Sequence, residues 1–300
     1  MYFKMTRAAI TVMGGAAALC LGSVPAALAA PASNTDAVSC NAEALYLAIA
    51  HQSYGETLNL APGCTYSLPA RLPNIRTHLT IVGDHSTLTR TRDAGSFSLL
   101  TVAGGGCDGD DYYCTADLTV INVNFTDGGG YDTDYGGAIY NNDRALQVTG
   151  DTFSDNKTDE YGGAIYNDGH MTVNNATFTD NLAPYGGAIY NEYDASIGVT
   201  SFLLNKAPTL YGDPDNSDGG AIYNDDDLDI TNSGFAGNST GGYGGAIYTE
   251  DDLHAGHITI TGNEAGFDGG GIYNDDETAD LSDSAVFGNQ PDNCYDVPGC

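Results

Sequence analysis

Three acidic clusters recur at intervals of 25 residues in the last third of the chain. Each follows a tyrosine, and together they supply nine carboxylates: Asp225, Asp226, Asp227, Glu250, Asp251, Asp252, Asp275, Asp276 and Glu277. If the clusters stack about 4.8 Å apart, each pair of like charges costs about 1 kcal/mol even in bulk water. Residues 207–300 contain no Lys or Arg that would neutralise them. Because Ca²⁺ takes several carboxylate oxygens, the clusters predict a Ca²⁺ site.

A second candidate Ca²⁺ site lies a few residues earlier, where Asp213, Asp215 and Asp218 place oxygen donors at near-alternate positions. This segment lacks the glycine that an EF-hand loop needs at its sixth position, so it is not that motif. For both candidate sites the alternative is that acidic loops simply keep the protein soluble.

Tyrosines occupy one recurring position just before these segments: Tyr140, Tyr166, Tyr190, Tyr223, Tyr248 and Tyr273. The preceding isoleucine is expected to point inward, so alternation along a strand places the tyrosine outward. A row of exposed rings beside Asn and Asp would suit a polysaccharide. The alternative, which we favour because the tyrosine recurs in every repeat, is a structural ladder in which each ring packs on the next.

A repeat must position all of these residues. The phrase GGAIY, once written GGGIY, recurs at intervals of 26, 24, 33, 25 and 25 residues, beginning at Gly136, Gly162, Gly186, Gly219, Gly244 and Gly269. A second phrase, FxxN, begins at Phe153, Phe178, Phe202 and Phe235. Such periods mark repeat architectures. The β-branched strand centres and the Gly-, Asn- and Asp-rich remainder favour strands over helices. We therefore predict about nine coils of a parallel β-solenoid, with the FxxN asparagines stacked in a ladder.

With GGAI and FxxN together, the chain resembles the repeats of polymorphic outer membrane proteins, over about residues 118–289. As a whole it is similar to secreted right-handed parallel β-helix proteins of the pectate-lyase-like superfold. The resemblance implies an all-β, right-handed parallel β-helix. It is weak for function, because that superfold hosts lyases, hydrolases, adhesins and inert rods.

The enzymatic alternative is a polysaccharide lyase or a glycoside hydrolase. Hydrolases use two carboxylates about 5 Å or 6.5–9.5 Å apart, and Asp226 and Asp251 would be that pair. Stacked acids reach these distances automatically, so the spacing is not evidence of catalysis. Lyases of the superfold commonly use Arg or Lys as base; Lys157 and Lys206 are expected two coils apart in one column. No nucleophile–base–acid grouping is visible, which favours a non-enzymatic rod.

The first 29 residues have the features of a secretory signal peptide: a basic start, an apolar run and the small residues of Ala27-Leu28-Ala29. We expect residues 30–75 to form an N-terminal cap, with a short helix, and the first coil. Residues 76–290 should form the β-helix, and residues 291–300 a C-terminal lid. Six cysteines remain after the leader, and their spacing suggests the pairs Cys40–Cys64, Cys107–Cys114 and Cys294–Cys300, although other pairings stay open.

Charge limits the partners. The 300-residue chain carries a formal net charge of −31, which becomes −33 without the leader. Such a surface repels phosphate backbones and anionic lipids, so we expect neither nucleic-acid binding nor membrane insertion. The sequence therefore predicts a secreted, extracellular or cell-wall-associated module that is stabilised by Ca²⁺ and binds a glycan or another cell-surface component.

Overall fold

In the computed structural model, which describes residues 37–103, 116–209, 217–275 and 278–300, one short helix is followed by 26 short strands. In chain order the elements are α1 (Ala42–Ala50), β1 (Glu56–Asn59), β2 (Thr65–Leu68), β3 (Leu79–Arg90), β4 (Leu100–Val102), β5 (Asp117–Thr126), β6 (Ile139–Asn141), β7 (Ala145–Thr149), β8 (Thr152–Ser154), β9 (Ile165–Asn167), β10 (His170–Asn174), β11 (Thr177–Thr179), β12 (Ile189–Asn191), β13 (Ala195–Gly198), β14 (Ser201–Leu203), β15 (Lys206–Ala207), β16 (Ile222–Asn224), β17 (Leu228–Thr231), β18 (Gly234–Ala236), β19 (Ser239–Thr240), β20 (Ile247–Thr249), β21 (Leu253–Gly256), β22 (Thr259–Thr261), β23 (Ile272–Asn274), β24 (Ala279–Ser282), β25 (Ala285–Phe287) and β26 (Cys294–Tyr295).

All strands except β15 and β19, which pair with each other, stack into three parallel faces. Face A contains β1, the first halves of β3 and β5, β7, β10, β13, β17, β21 and β24. Face B contains β2, the second halves of β3 and β5, β8, β11, β14, β18, β22 and β25. Face C contains β4, β6, β9, β12, β16, β20, β23 and β26. The chain therefore winds through about nine turns, and the predicted parallel β-solenoid is confirmed.

Identical apolar residues fill the interior in columns. The isoleucine of each GGxIY phrase is fully buried, from Ile139 to Ile272. Under face B, Phe125, Phe153, Phe178, Phe202 and Phe235 stack with ring centroids 4.6–4.9 Å apart and interplanar angles of 3–8°. Such small angles mean that successive coils hardly rotate relative to one another here.

Asparagine ladders close two of the corners. The FxxN residues Asn156, Asn181 and Asn205 are buried, and each side-chain amide donates to the next asparagine's Oδ1 at 2.9–3.0 Å. The same amides also donate to a backbone carbonyl of the previous coil, as Asn181 does to Phe153 at 3.0 Å. The predicted ladder is confirmed, and it satisfies polar groups that burial would otherwise leave unpaired.

The glycine pairs are required by two separate constraints. The first glycine of each pair has a left-handed backbone, as at Gly186 with φ 63°. The second glycine lies against the next coil: a Cβ on Gly187 would be 2.3 Å from the carbonyl oxygen of Gly220. Side chains would be excluded at both positions, which explains why the phrase recurs unchanged.

The two ends of the solenoid are held by disulfides. Helix α1 packs Leu45 and Ile49 into the core, and Asn41 caps its first turn by accepting a hydrogen bond from the Ala44 N–H at 2.8 Å. The predicted bonds Cys40–Cys64 and Cys294–Cys300 are confirmed. Cys107 and Cys114 lie outside the described residues, as does the leader. Among the described helices, none is both long and apolar enough to cross a membrane.

Left-handed residues turn the corners on either side of face B, and most are Asn, Asp or Gly, which tolerate this conformation. His85 and His257 also adopt it, and one coil has apolar residues at both corners. Its two corner residues are Val199 (φ 54°) and Leu204 (φ 56°), and both side chains are about half exposed. A β-branched residue in this region is strained.

We predict that Gly187→Ala lowers the unfolding free energy by about 3 kcal/mol or more, because a backbone carbonyl cannot move aside as a side chain can. The expected fall in melting temperature is about 6–12 °C. Gly198→Ala is the matched control, since its Cβ would meet nothing closer than 3.7 Å and its backbone φ is not positive. Melting curves of the two variants followed by circular dichroism test this, and equal midpoints would contradict it.

Candidate functional site

The acidic residues that follow each tyrosine separate into two groups. Asp226, Asp227, Asp251 and Asp252 converge at the turn between faces C and A, together with Asp194 from the preceding coil. We call these five residues the turn cluster. Asp225, Glu250 and Asp275 instead lie beside the tyrosines. The single block expected from the sequence is thus two neighbouring columns.

Within the turn cluster, ligand oxygens approach closely. One oxygen from each of Asp194, Asp226 and Asp227 lies within 4.8 Å of the others, and the same holds for Asp227, Asp251 and Asp252. Asp227 belongs to both groups. Desolvation, and then the carboxylates of Asp226 and Asp194 above all, raise the pKa of Asp227. The cluster is therefore a concentration of negative charge that a hard cation would relieve.

Local hydrogen bonds orient part of the turn cluster. The Asp227 N–H donates to Asp226 Oδ1 at 2.9 Å, and the Asp252 N–H donates to Asp251 Oδ1 at 2.8 Å. Asp226 and Asp251 thus each have their Oδ2 atom available for other partners. At the edge of the cluster, His170 Nδ1 lies 3.2 Å from Asp194 Oδ2.

The second column runs along the tyrosine hydroxyls. The Tyr166 hydroxyl donates to Glu192, and the Tyr223 hydroxyl donates to Glu250. The Tyr248 hydroxyl donates to Asp275 at 3.3 Å. Each bond joins one coil to the acid of the next, so the hydroxyls partly compensate the stacked carboxylates.

Burial and crowding of acids shift the titration of this column. Desolvation, the Glu250 charge and a hydrogen bond to Glu250 raise the pKa of Asp225 to about 6. Desolvation and then the Glu192 charge raise the pKa of Asp168. Burial also raises the pKa of the Tyr223 hydroxyl well above its usual range, and that of Tyr273 to about 12. The tyrosines are therefore neutral donors at physiological pH.

Five of the six tyrosine rings form the stacked ladder that we favoured, whereas Tyr140 meets Tyr166 edge-on at 5.5 Å. Consecutive rings from Tyr166 to Tyr273 stack with centroids 4.7–5.5 Å apart and interplanar angles of at most 25°. A second column packs beside them, with Tyr161 meeting Tyr190 edge-on at 4.8 Å. Tyr166, Tyr223 and Tyr248 are 8–9% exposed. Since neighbouring rings cover the ring faces, only ring edges and hydroxyls are open to a ligand.

The remaining predicted site residues are scattered. Asp218 is buried at a face C corner, where its Oδ1 accepts the Tyr243 N–H at 2.8 Å, and it does not join the turn cluster. Lys157 and Lys206 share a column two coils apart, as predicted. Asp226 and Asp251 occupy equivalent positions of adjacent coils. Because any stacked acids would do so, this placement does not test catalysis, and the hydrolase pair stays a prediction. Asp213, Asp215, Asp276 and Glu277 lie outside the described residues.

Sequence reasoning missed Asp168, Glu192 and Asp194, which extend both acidic columns towards the N-terminus. The signal was present, because each lies at the same offset from its tyrosine as the acids of the later coils. The pattern was hard to see because Gly169, His170 and Tyr193 interrupt the acids in these coils, whereas the later coils have consecutive acids.

Concave surfaces lie at the ends of the solenoid. One cleft of about 180 Å³ lies between α1 and the segment Leu68–Leu72. Another, of about 370 Å³, lies between β25 and the C-terminal disulfide. Neither contains a turn-cluster residue. Two insertions could wall a substrate groove, residues 103–115 and 207–217, and the structure describes only residues 103, 207–209 and 217 of them.

Comparison with known proteins identifies the repeat. The family model of the Chlamydia polymorphic membrane protein (Chlamydia_PMP) repeat matches residues 152–168, 175–192 and 235–250. No curated protein matches the chain as a relative.

The fold and the stacked columns define a parallel β-helix repeat protein. Three stretches of its coils match the polymorphic membrane protein repeat. This combination indicates a surface-exposed structural or adhesin-like module, and the disulfides indicate a location outside the cytoplasm.

We predict that Asp225→Asn stabilises the protein near pH 7.5 but has little effect near pH 4. The folded pKa of Asp225, about 6, lies above its unfolded value of about 3.9. Stability contributed by the protonated form is therefore complete below about pH 4 and is lost as pH rises to about 6. Because the side chain is half exposed, we expect only about 1 kcal/mol.

The measurement is the difference in melting temperature between Asp225→Asn and the wild type across this pH range, expected to grow by about 2–4 °C. Asp229→Asn removes the same charge from the outer side of β17 and should show a smaller change. If the difference in melting temperature between Asp225→Asn and the wild type did not change with pH, the raised pKa of Asp225 would be refuted.

Proposed function

We propose that the protein is a secreted β-helix module that binds Ca²⁺ at the turn cluster and attaches to a neutral extracellular glycan. The observation that carries the proposal is the convergence of five carboxylates from three successive coils within the turn cluster. A cation there would join the coils along the axis, which suits a rod that must persist outside the cell.

The electrostatics of the turn cluster support Ca²⁺ in particular. All five side chains offer carboxylate oxygens, and Ca²⁺ takes six to eight oxygen ligands in flexible geometry. Water and backbone carbonyls can complete such a shell. His170, beside Asp194, is the one basic group in contact with a turn-cluster carboxylate among the described residues. Protein charges therefore leave most of the negative charge uncompensated.

The glycan part of the proposal is supported by charge and by the polar outer surface. A net charge of −31 disfavours nucleic acids, anionic lipids and acidic polymers. Neutral glycans are free of this repulsion. Because the tyrosine stacks cover the ring faces, contact with a sugar would use hydroxyls, ring edges and the more exposed rings of Tyr135 and Tyr193, which are 36% and 44% exposed.

We expect Ca²⁺ at about 10 mM to raise the melting temperature by about 3–10 °C relative to EDTA, taking dissociation constants of about 10⁻⁴–10⁻³ M as for extracellular sites. Asp227→Asn should remove most of this shift, because Asp227 belongs to both oxygen groups. A second readout is Tb³⁺ luminescence sensitised by tyrosine, since the chain has 20 Tyr and no Trp.

Asp229→Asn is the matched control, with the same loss of charge two residues away on face A. It should keep the Ca²⁺ shift. Identical melting curves in Ca²⁺ and EDTA would refute the ion site. A shift that survives Asp227→Asn but disappears in Asp213→Asn/Asp215→Asn would move the site to that segment.

Glycan binding is tested by affinity electrophoresis of the mature protein through gels that contain neutral or acidic polysaccharides. We expect retention by at least one neutral polymer, without new reducing ends or unsaturated products. Product from any polymer would replace this proposal with an enzymatic function. Retention by none would leave a structural rod.

A further inference from the structure

The outward side of face B carries an array of small polar side chains over its first five coils, nine with a hydroxyl group and one, Asn124, with an amide. Two outward positions per strand, separated by the buried residue between them, form two columns in register. The first column contains Thr65, Thr87, Asn124, Thr152 and Thr177, and the second contains Ser67, Thr89, Thr126, Ser154 and Thr179. We call these ten residues the hydroxyl array.

The dimensions of the hydroxyl array are set by the protein's own core. Phe125, Phe153 and Phe178 lie between the two columns, directly beneath the array, and stack at 4.6–4.9 Å with angles of 3–8°. These three coils therefore repeat at that spacing with little rotation, and the first two coils of the array join them by parallel strand pairing at about 4.8 Å. Along each strand, two residues span about 6.6 Å. The outward side chains thus occupy a nearly flat rectangular lattice.

The hydroxyls of the array are available to a ligand. Thr89 makes a long hydrogen bond of 3.5 Å to the Arg90 carbonyl, and Asn124 donates to the His85 carbonyl at 3.3 Å. The other eight side chains of the array make no hydrogen bond to another described residue. Every one of the ten is at least partly exposed.

The array is also uncharged, in contrast with its surroundings. The outward positions of face A include Asp117, His170 and Asp229, and face C carries the acidic columns. None of the ten array positions carries a charge, in a chain with a net charge of −31. The nearest acids, such as Asp155, occupy the left-handed corner that follows the array. A neutral partner with its own regular lattice fits this surface better than an ion or a charged polymer does.

Ice has such a lattice. A tetrahedral water network with O–H···O distances of about 2.75 Å repeats at about 4.5 Å within its layers and at about 7.3 Å along the stacking axis. Both repeats agree with the hydroxyl array to within about a tenth, given a strand rise of about 3.3 Å per residue. Threonine supplies a hydroxyl that can join the lattice and a methyl group that can fill the space between water molecules.

We propose that the hydroxyl array of face B binds ice. The ten array positions carry no aromatic ring, and the exposed Phe287 of face B lies several coils away. This disfavours the main alternative, a crystalline polysaccharide, because sugar rings usually stack on aromatic faces. This activity does not require the turn cluster, which lies at the turn between the other two faces.

The test is the mature protein in a nanolitre osmometer, together with an assay of ice recrystallisation. We expect faceted ice crystals and a freezing point below the melting point. Thr126→Tyr places a bulky ring in the middle of the array and should reduce the activity at least tenfold. Thr172→Tyr makes the same change at an outward position of β10 on face A and should leave the activity unchanged.

Circular dichroism and melting curves establish that each variant is folded, and Thr179→Tyr replaces Thr126→Tyr if that variant does not fold. Absence of ice shaping by the folded wild type would overturn the proposal. Equal activity of the Thr126 and Thr172 variants would also overturn it. Binding to crystalline cellulose or chitin through the array, without ice activity, would assign the surface to a glycan instead.

Discussion

The register between coils is the constraint on which the rest of this structure depends. Each residue lies opposite its equivalent in the next coil, joined by parallel backbone hydrogen bonds, as Tyr190 is opposite Tyr223. Equivalent residues of successive coils therefore lie about 4.8 Å apart along the axis. Favourable self-pairs such as Phe on Phe or Asn on Asn become continuous columns. The close contact at the second glycine of each pair keeps the coils at this distance.

The same register also places acidic side chains of adjacent coils next to one another. Asp225 and Glu250 lie in adjacent coils, and desolvation and the Glu250 charge raise the Asp225 pKa. Part of this crowding is relieved within the protein. Along the tyrosines, hydroxyls donate to the acids. At the turn cluster the donors to Asp226 and Asp251 are backbone N–H groups of the same turns, and it is there that we propose a bound cation.

Much of the fold could be predicted from the sequence, because GGAIY and FxxN encode both the strands and the period. The inward direction of Ile139 and the stacking of Asn181 on Asn205 follow from alternation and repetition alone. The division of the acids could not be predicted, because it depends on the direction in which a tight turn projects consecutive side chains. The environment of Asp151 could not be predicted from the sequence either, because one of its partners lies in another coil. Burial raises the pKa of Asp151 to about 7, and its carboxylate accepts hydrogen bonds from the Val123 and Thr149 N–H groups.

The hydroxyl array was not apparent from the sequence for a different reason. A Thr-x-Thr pair in one strand is ordinary, since threonine favours strands at exposed positions. Five such pairs become a surface only when strands as far apart in sequence as β2 and β11 are aligned. The structure supplies that alignment, together with a measured spacing from the phenylalanines beneath it.

The corner residues Val199 and Leu204 have a consequence for how the solenoid comes apart. A stack in which each coil contacts only its two neighbours behaves as a one-dimensional chain of coupled units, whose weakest coupling sets the boundary between cooperative blocks. We expect that boundary at the coil in which Val199 and Leu204 flank β14 in the left-handed conformation. Its amide hydrogens should exchange through partial openings that separate an N-terminal block from a C-terminal block, while the coils on either side stay closed.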